Sequence, residues 1–314
     1  MPSTMRLSAL EGHDEIQSML TCTSSIDDLK ALHYNDDKRY VTDLLAKHGH
    51  WAETTVSHVV DCPLEEGTSL SPDDQPTLGS SEYDAMAPRR EAYMSIVGGL
   101  LWLANMTMPH LAYAASQLSR FLTNPGPSHF AACVRVLVYL RSVPNQVLRF
   151  TPNTARLLDT FVDSNWATKF SCSGCFVFFY GCLFHWFSKM QHSVSLSSAE
   201  AEYFGAMMTA RELIWIRDLL FDLDINLNGP SVIYSDSRSA ILMAFDPVAF
   251  KKTKHILRAA EFLRDSVAKE ILTLEHVAGT ANIADILTKA VNRATYFELL
   301  RLLNTYAHTG VASL

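Results

Sequence analysis

The chain has 314 residues, 48% of them hydrophobic and 19% charged, which excludes wholesale disorder and suffices for one large core or two modest ones. Its net charge of -7 is unevenly shared: residues 1–91 carry 7 basic and 17 acidic side chains, whereas 92–314 carry 19 basic and 16 acidic. The acidic total therefore does not exclude nucleic acid as a partner, because phosphate affinity follows the local density of Lys and Arg. Six cysteines, at 22, 62, 133, 172, 175 and 182, are too few and too scattered to staple the chain, and they read as reduced thiols.

The opening text MPSTMRLSALEGHDEIQ lacks the apolar run of a signal peptide, so the expected location is intracellular rather than secreted. Residues 1–37 show no period and stay unassigned. From Lys38, Tyr40, Val41, Leu44 and Leu45 form the stripe of a short amphipathic helix ended by Gly49. Residues 62–90 are rich in Pro, Gly, Ser and acidic side chains and read as a linker or surface loop. Three apolar helices follow, EAYMSIVGGLLWLANM, MPHLAYAASQLSRFL and PSHFAACVRVLVYLRSV, divided at Met108-Pro109 and at Asn124-Pro125-Gly126-Pro127. The longest apolar run, Ile96 to Met106, is well short of the ~20 residues of a membrane span. After Pro152 the pattern alternates: strand LLDTFVD, a hairpin of CFVFFYG and LFHWFSK about Gly181, a helix from Ser198 to Leu223, and strand SVIYSD. Helices SRSAILMAF and KHILRAAEFLRDSVAKE, strand ILTLEHV and a helix from about Asn282 complete it. This order predicts a mixed α/β sheet, antiparallel on the hairpin side and parallel on the crossover side.

Four carboxylates fall within that domain at strand ends, helix starts or otherwise apolar text. Asp163 follows Thr160-Phe161-Val162, Glu202 lies in SSAEAEYFGAM, Asp236 ends SVIYSD, and Asp285 opens the last helix in NIADILTK. Each alone reads most simply as a cap. Together, four converging carboxylates repel one another unless cations compensate, and oxygen-only ligands suit Mg²⁺ or Mn²⁺. Two such ions ~4 Å apart would clamp the attacking water and the leaving oxygen of a phosphodiester.

The texts YMSIVGGLLWLA, LAYAASQLSRFLTNP, FVDSNWA, SGCFVFFYG with W-x-S-K-x-Q, LSSAEAEYFGA, YSDSRSAI, TKHI and ADILTK occur in this order. In them the chain resembles the C-terminal part of copia-type LTR retrotransposon Pol polyproteins, the end of the reverse transcriptase plus its ribonuclease H domain. The resemblance implies a ribonuclease H-like mixed five-stranded sheet with flanking helices, preceded by a small helical subdomain. It implies an Asp-Glu-Asp-Asp metal site of Asp163, Glu202, Asp236 and Asp285, with two Mg²⁺ ions for which Mn²⁺ may substitute. It also implies hydrolysis of the RNA strand of an RNA:DNA hybrid. The expected partners are that hybrid and the remainder of the polyprotein, with no membrane. On this reading 38–61 is a reverse transcriptase remnant, 91–150 a thumb- or connection-like subdomain, 151–290 the ribonuclease H-like domain and 291–314 a C-terminal helix and tail. Polymerisation by the chain alone is not expected, since the fingers and palm have no counterpart in its text.

Glu200 and Glu202 are about 200° apart on a helix, so they cannot both face one site. The resemblance favours Glu202 as ligand and leaves Glu200 near the cap. Met108-Pro109-His110, Ser235-Asp236-Ser237-Arg238 and Asn165 depart from the family's usual text without removing an expected ligand. A drifted, non-catalytic relic that at most binds nucleic acid is the alternative. Tyr34-Asn35-Asp36-Asp37 mimics a polymerase YxDD turn but lacks its hairpin context, and Cys172, Cys175, Cys182 and His185 mimic a zinc knuckle inside text that reads as β-structure. Lys251, Lys252, Lys254 and Arg258 read either as a solvated face or as phosphate contacts along a hybrid.

Overall fold

The structure is a computed structural model that describes residues 38–52, 60–143, 158–167, 171–245 and 257–309. Tyr34-Asn35-Asp36-Asp37 and Lys251, Lys252 and Lys254 lie outside these residues.

Helix α1 (38–52) buries Val41, Leu44 and Ala52 and runs through Gly49, three residues past the stop read from the sequence. Tertiary packing outweighs the modest helical cost of one glycine. The span 62–90 carries more order than its turn-rich composition suggests. A 3₁₀ turn (Pro72–Asp74) closed by a Ser71/Asp74 capping box is followed by α2 (Ser81–Ala85), and Leu64, Leu70 and Met86 are buried. Those apolar anchors are spaced without a period, so they leave no helical or strand signature. Helices α3 (Ala87–Met106), α4 (Ala112–Ser119) and α5 (Pro127–Ser142) fall in the three apolar segments, with Pro127 at the first turn of α5, where its missing N–H costs nothing.

The second half forms one mixed sheet of five strands, β1 (Leu158–Asn165), β2 (Cys172–Phe179), β3 (Cys182–Met190), β4 (Ser231–Ser235) and β5 (Leu272–His276), in the order β3-β2-β1-β4-β5. β1–β2 and β2–β3 are antiparallel, β1–β4 and β4–β5 parallel. The long helix α6 (Ser198–Asp222) crosses from the hairpin side to β4, and α7 (Arg238–Phe245) and α8 (Leu257–Ala268) connect β4 to β5. This is the ribonuclease H-like α/β architecture expected from the sequence. The last element differs: Asp285 sits in a 3₁₀ turn (Ile283–Leu287), and helix α9 begins only at Arg293 (Arg293–Thr309). Ile283, Ala284, Ile286 and Leu287 are all buried, a pattern helix and tight turn share, which is why the text reads as helical.

The central strands are buried on both faces. Phe161, Phe176, Phe178 and Tyr234 share a core with Val97, Leu100 and Leu137 of the N-terminal helices and with Tyr296 and Leu299 of α9. Val162, Cys175, Val177 and Ile233 point the other way, into a core with Tyr203, Ala206, Ala210 and Leu213 of α6. The unbroken apolar run CFVFFYG is the consequence, because no position in β2 alternates to water. Each such side chain contributes about 1.5–3 kcal/mol on burial. No described helix is long and apolar enough to cross a membrane.

Candidate active site

Strand β1 carries Asp163 near its end, 2% exposed, and parallel pairing with β4 brings Asp236, one residue beyond that strand, alongside it. The third group arrives on α6, and its approach depends on the absence of a side chain. A Cβ on Gly205 would overlap Ser164 Oγ, so only glycine lets the helix lie this close to β1. Glu202, one turn earlier, then reaches the sheet end, and carboxylate oxygens of Asp163, Glu202 and Asp236 all lie within 4.8 Å of one another.

A buried polar network holds that helix start. Gln191 donates to Ser173 Oγ and to the Ala201 carbonyl, both at 2.8 Å, and accepts from Ser195 at 2.8 Å. Ser164 and Ser173 hydroxyls are 2.8 Å apart across β1 and β2. Glu200 is used differently. Its Oε2 accepts the Leu196 N–H at 2.7 Å while its own N–H donates to the cap Ser197 at 3.2 Å. It closes the helix N-terminus and points away from the acidic cluster. The two glutamates divide as their 200° separation requires.

Asp285 approaches from the other side. The 3₁₀ turn that bears it packs on β2 at Gly174, where a Cβ would overlap Leu287 Cβ. Asn282 anchors the turn by donating to the Val162 carbonyl at 2.9 Å. Thr288 donates to Asp163 Oδ2. Lys289 Nζ stands 2.9 Å from Asp285 Oδ1 and 3.9 Å from Asp163 Oδ2. Asp285 thus flanks the cluster through Asp163 and Lys289, and it is not one of the three carboxylates whose oxygens converge.

The electrostatics follow from burial and like charge. Burial first, then the Asp163 and Asp236 carboxylates, pushes Glu202 up to about 9. Asp236 is raised by burial and by Asp163. Asp285 is raised to about 7 by burial and Asp163, against the pull of Lys289. Burial draws Lys289 down, but Asp163, Asp285 and Asp236 outweigh it and hold the amine up. Two carboxylates ~4 Å apart repel by about 4 kcal/mol at an effective dielectric constant near 20, so the cluster favours a proton or a cation. Glu202 Oε2 is buried and has no hydrogen-bond partner among the described residues. An oxygen-only donor set with one buried oxygen still unmet fits a hard divalent cation.

Other candidates separate. Cys172 opens β2 and Cys182 opens β3, at opposite ends of the hairpin, so they cannot close one knuckle with Cys175 and His185. Arg258 is placed by the backbone of α8. Lys289, Thr288, Asn282, Gln191, Gly174 and Gly205 carry no charge-cluster signal in the sequence. The Asp285/Lys289 spacing of i,i+4 was the one available cue to an ion pair.

No family model matches the chain. Over 263 residues it is 33% identical to the retrovirus-related Pol polyprotein from transposon RE2 of Arabidopsis thaliana, a match covering 82% of this chain and 17% of that protein. Over 213 residues it is 35% identical to the retrovirus-related Pol polyprotein from transposon TNT 1-94 of Nicotiana tabacum, covering 67% of this chain and 16% of that protein. The chain thus spans a minor part of the length of these relatives. Among solved structures, LC11-RNase H1 in complex with an RNA/DNA hybrid aligns with a TM-score of 0.32 at 16% identity, over 42% of this chain and 93% of that one. A foamy viral protease-reverse transcriptase in complex with double-stranded DNA aligns with a TM-score of 0.40 at 13% identity, over 60% of this chain and 32% of that one.

Proposed function

The chain belongs to the retrovirus-related Pol polyproteins of copia-type transposons, and from that premise we propose that it hydrolyses the RNA strand of RNA:DNA hybrids at the carboxylate cluster of Asp163, Glu202, Asp236 and Asp285. The observation that carries this reading is the buried convergence of Asp163, Glu202 and Asp236, with Glu202 Oε2 left without a donor. A bound Mg²⁺ or Mn²⁺ would supply charge neutralisation and a more acidic water.

The protein's own residues do the rest. Asp163, at the centre, is held in orientation by the Thr288 hydroxyl, and Glu202 and Asp236 close on it from helix and strand. These three would hold a cation, and the two-ion site expected from the sequence would engage Asp285 as well. Lys251, Lys252, Lys254 and Arg258 would contact phosphates, positioning the hybrid without reading its sequence. Residues 91–150 would serve as a remnant of the thumb and connection, buttressing the sheet. Products would carry 3′-hydroxyl and 5′-phosphate ends, as in the family. The remainder of the polyprotein is the proposed partner in reverse transcription.

The test is cleavage of a labelled RNA:DNA hybrid by the purified chain with Mg²⁺, with Mn²⁺ and with chelator, beside Asp163→Asn. Metal-dependent cutting that disappears in the variant supports the proposal. A folded wild type that binds hybrid and cuts nothing would make the chain a relic.

A further inference from the structure

In the acidic cluster one cation is already present, and it belongs to the protein. Lys289 Nζ lies 2.9 Å from Asp285 Oδ1 and 3.9 Å from Asp163 Oδ2, so it bridges the carboxylate at the centre and the one at the flank. The Thr288 hydroxyl occupies the same Asp163 oxygen. The Lys289 side chain is 38% exposed, and the residue lines a small cavity with Leu64, His110, Tyr113, Ile286 and Tyr296. One oxygen of Asp163 accepts from the Thr288 hydroxyl, and Asp285 Oδ1 is met by the ammonium as an ion pair, although neither Asp285 Oδ1 nor Glu202 Oε2 has a hydrogen-bond partner among the described residues. The protein's own positive charge thus already stands on the Asp285 side of the cluster.

We infer that Lys289 is the resident cation of the second metal position, so that the site takes one divalent ion, among Asp163, Glu202 and Asp236, and uses the ammonium where a second ion would sit. This inference rests on the function proposed above and refines the expected ion count. A second dication at Asp285 would have to displace the ammonium or bind beside it against its charge. An ammonium offers Asp285 and Asp163 compact positive charge and up to three donors, without the demanding octahedral shell of Mg²⁺.

The test counts Mn²⁺ ions bound to the full chain by following the paramagnetic resonance of free Mn²⁺. Titrations are run without nucleic acid and with a 2′-fluoro RNA:DNA hybrid that resists cleavage. The wild type is expected to take up one ion in both, and Lys289→Met, which keeps the stem and removes the charge, is expected to take up two when hybrid is present. Lys289→Arg is expected to stay at one. In chelator Lys289→Met should melt below wild type, and Mn²⁺ should raise its melting temperature by more than it raises that of wild type. Two ions on the wild type would overturn the inference while leaving the metal-dependent reading intact, and that result needs no folded variant. One ion on Lys289→Met would overturn it as well. No ion on the wild type would overturn both.

Discussion

Two of the places where the molecule buries polar groups differ in how completely those groups are matched. Along the seam between the N-terminal helices and the second half of the chain, the Tyr139 and Tyr296 hydroxyls meet at 2.9 Å and Trp186 donates to the Ala104 carbonyl at 2.6 Å, and within the helices Tyr93 donates to the Leu118 carbonyl at 2.8 Å. Every one of these donors is neutral and has a partner. At the sheet end, by contrast, three carboxylates crowd within 4.8 Å and one buried oxygen has no donor. Matched burial gives rigidity, whereas unmatched burial stores a demand for something from solution. The seam is matched within the protein, and on the function proposed above a cation would match the cluster.

The sharpest break in that comparison is Asp163→Asn. It removes charge from the cluster and keeps the shape, so hybrid cleavage should fall by about 10³-fold or more, on the scale of losing a group that stabilises developing charge. The melting temperature of the metal-free protein should hold or rise, since mutual repulsion is relieved. A collapse in thermal unfolding would instead give Asp163 a structural role like that of the seam residues.

Gly174→Ala tests whether the cluster depends on close packing behind it. The added methyl meets Leu287 and pushes on the turn that carries Asp285, Thr288 and Lys289. A loss of about 1–3 kcal/mol in denaturant unfolding is expected, together with weaker Mn²⁺ binding. Unchanged Mn²⁺ binding at reduced stability would show that the turn and the cluster are independent.

The seam has its own double-mutant cycle. Tyr139→Phe or Tyr296→Phe alone leaves the other hydroxyl buried without its partner and should cost about 1–3 kcal/mol. The double variant should cost less than the two singles added together, because both unmatched groups are then gone. Additive losses in urea unfolding would refute the pairing.

The effect that vanishes at neutral pH is a pH dependence that arises in the seam. His110 is buried, and burial pulls it down to about 3 from the usual 6.5. Between those values the unfolded chain binds a proton that the folded protein refuses. Stability is therefore complete above about pH 6.5 and erodes on acidification by at most about 1.4 kcal/mol per pH unit from this group. His110→Leu should flatten the pH 4–6.5 part of a melting-temperature profile, and a profile identical to wild type would remove His110 from the account.

Much of this architecture can be read in the chain because its signals are local. Alternating strand and helix text, the turn at Gly181 and the proline breaks each act over a few residues, and the strands and helices formed where those signals lie. Asp163, Glu202 and Asp236 were legible for a related reason: each ends or begins an element, and elements in this order converge at one sheet end. The limits lie where distant segments decide. Leu64, Leu70 and Met86 gave no period, yet they anchor 62–90 to the core. The text around Asp285 is equally compatible with a helix and a 3₁₀ turn, and packing against Gly174 accompanies the turn.

What the sequence by itself determined is the order of elements, the family and the residue types that could form an acidic site, since these depend on neighbours within a turn or on matching text. The tertiary structure put Glu200 at the cap and Glu202 in the cluster, as the matching text had favoured, and it alone decided that Gly205 and Gly174 permit the close approaches and that Lys289 meets Asp285 and Asp163. Those outcomes depend on distances between atoms up to 126 positions apart in the chain, as between Asp163 and Lys289. Only packing in three dimensions sets such distances.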